Sequence, residues 1–341
     1  MKKIKRRQTT HLRHQHGVTL VELLVAMTLS LVVVAATVAA LGMARQGFST
    51  IDAASQLRDN TRFSAELIQR IVQQAGYRDV LYAGATRSNA FKYAGMPSNT
   101  EPANVQGFNN ALVTSADDPI DTAANNSRTA AAGGCATATD TACVNGSDIL
   151  IIRFQPAAQV VGGGVSDEAV INCAGTSGSQ SATNRTDRLV SIFYVALSNG
   201  EPSLMCKSAR GTGPWQDAQP LVQGVESFQV LYGVDDVAPG AVAGAQPDSV
   251  PDRYLRADQM TVAGNAAATR ANWLRVRSVR IGLVVRAAER SAAEKVEKDF
   301  YPLGSNTFSA SDAGSKFVAP ADGRIRQAFT FTVYLPNPQE I

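Results

Sequence analysis

Between Glu22 and Arg45 the chain carries 22 consecutive residues without a formal charge, LLVAMTLSLVVVAATVAALGMA. As a helix such a run rises about 33 Å, enough to cross a hydrocarbon core of roughly 30 Å. It lacks the polar face that a core helix of a globular domain turns to water. The flanks set its direction. Lys2, Lys3, Lys5, Arg6, Arg7 and Arg13 precede it without a single acid, whereas Arg45, Asp52, Arg58 and Asp59 follow in mixed sign. The positive-inside bias places residues 1–17 in the cytoplasm and residues beyond 45 outside the inner membrane. The competing reading is a secretory signal peptide, for which Gly42-Met43-Ala44 offers a small-residue cleavage site. Such peptides have apolar cores of only about 7–15 residues, and a carboxylate in the first turn has no use in a discarded segment.

That carboxylate, Glu22, is the residue to explain. An acid in a membrane segment costs up to about 3 kcal/mol at the centre and less near an interface, so it usually has a partner. Cutting after Gly17 would place a new α-amine on Val18, one helical turn from Glu22, where a helix N-terminus also favours negative charge. Amine and carboxylate can then pair within one chain or between neighbouring helices, setting the axial register of one subunit against another.

The stretch Gly17-Val18-Thr19-Leu20-Val21-Glu22 and on to Met27 resembles the class III signal of type IV prepilins and type II secretion pseudopilins. The resemblance implies cleavage by a prepilin peptidase after Gly17, methylation of Val18 as the new first residue, and Glu22 as the assembly glutamate. The apolar segment is then kept, first as a membrane anchor and later as the helical core of a filament. Two features depart from the family pattern: Val18 stands where phenylalanine is usual, and no proline interrupts the helix before residue 97.

Beyond Arg45 the pattern turns amphipathic. Phe48 and Ile51, then Phe63, Leu67 and Ile71 with Ile68, Val72 and Ala75 alongside, form an expected helical stripe, and Gly76 supplies a stop. One helix from Val18 to Ala75 is expected, 58 residues or about 87 Å long. Strand character follows in DILIIRF from Asp148, LVSIFYVAL from Leu189, SLMCKS from Ser203, VESFQVLYGVD from Val225, RVRSVRIGLVVRA from Arg275 and IRQAFTFTVYL from Ile325. Several of these alternate apolar and polar residues, which suits an antiparallel sheet packed on a helix. No βαβ alternation points to a nucleotide-binding parallel sheet.

Leu221–Asp235, the stretch VRSVRIGLVVRA and Gly323–Asn337 are similar to the C-terminal half of the PilW family of minor pilins, and Leu57–Tyr77 resembles its helix exit. The resemblance implies an α+β, pilin-like fold. A cleaved leader, 1–17, would precede a helix, 18–76, whose part 18–44 is the membrane and filament segment and whose part 45–76 is amphipathic. A β-rich head, 77–341, would follow on the outer side.

Four cysteines, Cys135, Cys143, Cys173 and Cys206, fall on that outer side. An even count in an oxidising compartment reads as two disulfides. Cys135 and Cys143 bracket a short polar loop and pair most simply with each other, which leaves Cys173 to Cys206. Without a C-x-x-C pair or a nearby histidine, zinc is disfavoured. All three histidines, His11, His14 and His16, lie in the leader, so the mature chain has no Ser-His-Asp, Cys-His or histidine-ligated chemistry. The glycines of Val161–Val165 have no lysine at phosphate-loop spacing. Asp235 and Asp236 are a lone acidic pair that leaves calcium open. Arg275, Arg277, Arg280 and Arg286 read as edge protection or as partners for acids. Trp215 and Trp273 fit packing as well as recognition. Six of the 32 Lys and Arg residues are in the leader, so the rest of the chain carries 26 against 29 acids, a formal charge of −3. General nucleic-acid binding is not expected of it.

The expected function is that of a minor pilin, an inner-membrane prepilin used at or near the tip of a type IV pilus, where it primes assembly. Expected partners are the prepilin peptidase, other minor pilins, the major pilin, a large tip adhesin and inner-membrane lipids; no cofactor and no catalytic residue is expected. The nearest rival is the J-type pseudopilin of type II secretion. A membrane-tethered periplasmic enzyme with an uncleaved anchor is the alternative of another class.

Overall fold

The computed structural model describes residues 17–79, 102–111, 113, 144–160, 163–178, 180, 182, 187–210, 215–292, 294–305, 307, 312, 314–337 and 339. It divides into two compact units, Met1–Ile51 and Asp52–Ile341. Helix α1, Leu20–Gln73, contributes to both.

In the first unit every described residue from Gly17 to Ser49 is exposed. The few hydroxyls are satisfied inside the helix: Thr28, Ser30 and Thr37 donate to the carbonyls of Val25, Met27 and Val34 at 2.9, 2.9 and 2.8 Å. None of these hydroxyls then needs a partner from the surroundings, which a lipid environment demands. By length and composition α1 is capable of crossing a membrane.

In the second unit α1 is amphipathic. Ala53, Leu57, Thr61, Ser64, Ala65, Ile68, Ile71 and Val72 are buried, a stripe at steps of mostly three and four residues. The buried row differs from the one expected. Phe63 is 53% exposed, because at about 100° per residue it lies well off the line through Ser64 and Ile68. Small residues take the buried row instead. The hydroxyls of Thr61 and Ser64 bond back to Leu57 O and Asn60 O, both at 2.7 Å, so they enter the interior already satisfied.

The strands are β1 Val105–Phe108, β2 Ile149–Phe154, β3 Leu189–Ser198, β4 Glu201–Arg210, β5 Gln219–Gln223, β6 Val225–Val234, β7 Arg253–Leu255, β8 Val276–Arg286, β9 Lys298–Phe300, β10 Phe317–Ala319 and β11 Arg326–Tyr334. They form a five-stranded sheet in the order β1-β2-β3-β4-β5, a four-stranded sheet β11-β8-β6-β7 and the pair β9-β10. All described pairings between these strands are antiparallel. The six stretches read as strands from sequence are β2, β3, β4, β6, β8 and β11, each within two residues at either end.

Local chemistry fixes the connections. β3 and β4 are joined by Asn199-Gly200 with φ of 52° and 81°, the left-handed pair that a type I′ hairpin requires. A single residue, Gly224, separates β5 from β6 and so joins the two larger sheets. Its φ is +84°, and a Cβ there would sit 2.6 Å from Arg286 O, so only glycine fits.

Both larger sheets share one core with α1. Ile68, Ile71 and Val72 of the helix cluster with Leu150, Ile152, Phe193 and Leu204 of the first sheet and with Phe228, Val230, Ile281, Leu283 and Val285 of the second. Tyr232 meets Trp273 of α2, Ala266–Trp273, edge-on at 4.7 Å. The far face of the first sheet carries a second cluster, including Phe108, Ile149, Ile151, Ile192 and Tyr194. β2 is consequently buried on both faces, and β6 is buried along its whole length too, rather than alternating in and out.

Candidate functional site

Of the N-terminal residues singled out by the sequence, Gly17 and Val18 precede the helix and Glu22 lies in its first turn. Helix α1 begins at Leu20, two residues after the expected start, with Thr19 as its cap. Thr19 Oγ1 accepts from Glu22 N at 3.3 Å, and Leu23 N donates to Thr19 O at 3.1 Å. Thr19-Leu20-Val21-Glu22 thus has the spacing of a capping box, with the hydroxyl half of it formed. Glu22 lies in the first turn, where the helix end stabilises negative charge. Gly17, Val18 and Glu22 are all exposed, and a Cβ on Gly17 would meet nothing within 4 Å. Among the described residues no ion pair involves Glu22. A basic or amino partner has free access to it. Residues 1–16 of the leader, with His11, His14 and His16, lie outside the described residues.

The other end of α1 is held by three separate segments. Asn337 Nδ2 donates to Gln73 O and Ala75 O at 3.3 and 3.1 Å, and Gln339 Nε2 reaches Ala75 O at 3.3 Å. These amides satisfy carbonyls that a helix end leaves open. Gly76 N donates to Arg153 O and Gln155 N to Tyr77 O, both at 3.0 Å, so the exit pairs with the end of β2. The Gln74 side chain pairs twice with the backbone of Ile171: Nε2 donates to Ile171 O at 3.1 Å and Oε1 accepts from Ile171 N at 3.0 Å.

Cys173 and Cys206 are joined by a disulfide. Cys135 and Cys143 lie outside the described residues. So do Val161 and Gly162 of the glycine-rich stretch; Gly163 N donates to Val160 O at 2.9 Å.

The arginines of β8 have internal partners. This strand lies between β11 and β6, so edge protection does not apply to it. Arg286 pairs with Glu201 and Glu226, Arg277 with Asp235 at 3.3 Å, and Arg280 lies 3.9 Å over the Tyr254 ring. The network extends through Arg326, which pairs with Glu226 and with Asp322 at 2.6 Å each, and Arg324, which pairs with Glu289 at 2.8 Å. Hydrogen bonds from Arg286 and Arg326 hold the Glu201 and Asp322 carboxyls below their usual range. The acidic pair after β6 is likewise engaged: Asp235 accepts from Asp248 N and Ser249 N, and Asp236 from Gln246 N. Among the described residues no group of His, Cys, Asp and Glu has the arrangement of a metal site. Trp273 packs in the core, and Lys207 Nζ sits 5.1 Å from the Trp215 ring centre.

The sequence reading missed the seam between the sheets. Asp148 is buried; its Oδ1 accepts from Asn110 N at 2.9 Å and its Oδ2 from Val230 N at 2.7 Å. Burial pushes its carboxyl up to about 7 against these two donors. Phe228 N donates to Ser147 Oγ, and Asn145 Nδ2 to Glu226 O. Residues 145–148 therefore satisfy the part of β6 that the short β7 does not reach.

Residues 192–337 match the family model described as Type IV Pilus-assembly protein W, PilW. Residues 12–38 match the prokaryotic N-terminal methylation motif. Among solved structures, the chain is similar to the type IV-like pilin TTHA1219 from Thermus thermophilus at 14% identity and a TM-score of 0.35, over 82% of this chain and 96% of that one. No curated protein sequence matches it.

Proposed function

We propose, from a match to the PilW family model behind an N-terminal methylation motif, that the chain is a minor pilin of a type IV pilus which primes pilus assembly within a tip complex. The observation that carries this reading is the presence of both matches in one chain, at 12–38 and at 192–337. The PilW match supports a structural subunit rather than an enzyme. The signal and the apolar helix point to a single-pass anchor in the inner membrane.

The proposed sequence of events starts in that membrane. Prepilin peptidase removes 1–17 and Val18 becomes the methylated N-terminus. The 18–44 segment, exposed along its whole length, leaves lipid for a bundle of like helices and exchanges one apolar surrounding for another. Glu22 then meets an N-terminal amine, its own or a neighbour's, and the match of these charges fixes axial register. The head, 77–341, contacts other minor pilins, the major pilin and a large adhesin on the outer side.

The test is Glu22→Ala in the natural host. Leader removal continues, read as N-methylated Val18 by terminal peptide sequencing, but the variant is depleted at least about tenfold from sheared pili, the scale of one lost charge pair in an apolar surrounding. Normal recovery of the variant in sheared pili would sink the role assigned to Glu22. A mature chain beginning at Met1 or Arg45 would sink the prepilin reading itself. Recovery in secretion-system fractions but never in pili would leave the J-type pseudopilin.

A further inference from the structure

We infer that the Cys173–Cys206 disulfide is an oxidation-dependent clasp on the exit of helix α1, acting through the pairing of Ile171 with Gln74. Residues 155–188 connect β2 to β3 and contain no described strand, only the isolated bridges at Ala158–Ser166 and Val165–Gln180. Within that connection, 170–176 is a tight loop built on Asn172. Its Oδ1 accepts from Ala174 N and Thr176 N, both at 3.0 Å, and its own N–H donates to Thr176 O. The loop is compact but has few bonds to the sheet. Cys173 N donates to Ser191 Oγ at 3.0 Å, and the disulfide ties the same residue to Cys206 on β4.

One face of this loop grips the helix. Ile171, two residues before the bonded cysteine, makes both hydrogen bonds to the Gln74 amide, across 97 positions of sequence. Val170 and Cys173 belong to the same buried cluster as Ile71 and Ala75. Holding Cys173 on β4 therefore holds Ile171 over the helix exit. Without the covalent tie the loop keeps one hydrogen bond to β3, and ordering Ile171 against Gln74 has to be met from the freedom of a long connection.

Burial makes the order of events matter. Cys173 and Cys206 are 3% and 1% exposed, and thiol–disulfide exchange requires access to the sulfurs. The bond forms before the loop packs down. Each Sγ–H gives up its proton, one Sγ–Sγ bond is made, and the two electrons pass to a disulfide-donating oxidoreductase, whose own disulfide becomes a dithiol. In a reducing compartment the clasp stays open; on the oxidising side it closes and the helix end becomes rigid on the sheets.

The test is hydrogen exchange read by mass spectrometry on the full chain in detergent, comparing the oxidised protein with Cys173→Ser/Cys206→Ser and with Gln74→Ala. In the serine pair, amides of 71–77 and 170–176 exchange about tenfold faster, the scale of one to two lost hydrogen bonds, while β8 is unchanged. In Gln74→Ala, with the disulfide intact by mass, 71–77 and Ile171 accelerate and the rest of the loop stays protected. Wild-type exchange at 71–77 in the serine pair overturns the inference, since the bond would then tether the loop alone. An equal acceleration in β8 overturns it as well, because the bond would then act on the whole unit. Unchanged exchange at 71–77 in Gln74→Ala breaks the link through Ile171, however the serine pair behaves.

Discussion

At the scale of single residues, Asp148 has the clearest measurable consequence. Burial raises its carboxyl from 3.8 to about 7, Asp258 pushes in the same direction, and Arg256 and the two backbone donors pull the other way. The native protein thus keeps a proton that the unfolded chain has already released between about pH 4 and 7. The contribution of Asp148 to stability is highest below the unfolded value, declines as pH rises through that window and levels off above about 7. Glu201 and Asp322 have lowered carboxyls and act oppositely, losing their contribution only as pH falls below the ordinary carboxylate range. The urea midpoint, followed by tryptophan fluorescence, should therefore fall between pH 5 and pH 8. In Asp148→Asn that fall largely disappears. The variant is also less stable at pH 5 by about 1–3 kcal/mol, because an amide NH2 now faces Asn110 N or Val230 N and leaves a buried donor unmatched.

At the scale of elements, α1 separates what sequence made legible from what it did not. The apolar run and its flanking charges are linear features, so the apolar half of the helix and the methylation motif around it were readable. The amphipathic half was readable as a helix but not in its orientation. Phe63 looked like a core residue because it is large and apolar, yet the sheets approach over the smaller Ser64, Ala65 and Ile68. The consequence can be measured by urea titration of the full chain in detergent. Ile68→Ala should cost about 2–5 kcal/mol by opening a cavity in the shared core, whereas Phe63→Ala should stay within about 0.5 kcal/mol, as exposed substitutions usually do. A larger loss for Phe63→Ala would mean that its ring is covered.

The strands show the same division. Long alternating runs such as Phe228, Val230, Tyr232 and Val234 were legible, but β7, β9 and β10 have three residues each and β5 contains Pro220, so none carries a period to detect. Helix α2 did offer a signal that went unused: Asn265 stands before three alanines, and its side chain accepts from Ala268 N. The clamp on the helix exit had none, since Gln74 and Asn337 are brought together with their partners across 97 and 262 positions.

At the scale of the whole second unit, two sheets meeting at one glycine need a lock beside it, and the charge network occupies that place. Glu226 follows Gly224 by two residues, is 3% exposed and takes both Arg286 of β8 and Arg326 of β11. Arg286 also reaches Glu201 at the start of β4, in the other sheet. Strands distant in sequence are thus held at the junction by a few charged side chains. A buried ion pair is costly to break and much less costly to replace as a unit, because the penalty lies in the partner left unpaired. Glu226→Gln should destabilise the protein on the order of 3 kcal/mol, since it removes the buried carboxylate that two arginines share and leaves Arg286 with Glu201 and Arg326 with Asp322 alone. Changing Glu226→Met and Arg326→Leu together leaves Arg286 with Glu201, and leaves Asp322 with Arg324 at 3.6 Å, so every remaining charge keeps a counter-ion. The double variant should be the more stable of the two in urea at pH 7. If it unfolds more readily than Glu226→Gln, the pairing itself holds the sheets together, and avoiding an unpaired charge is not the main source of the stability.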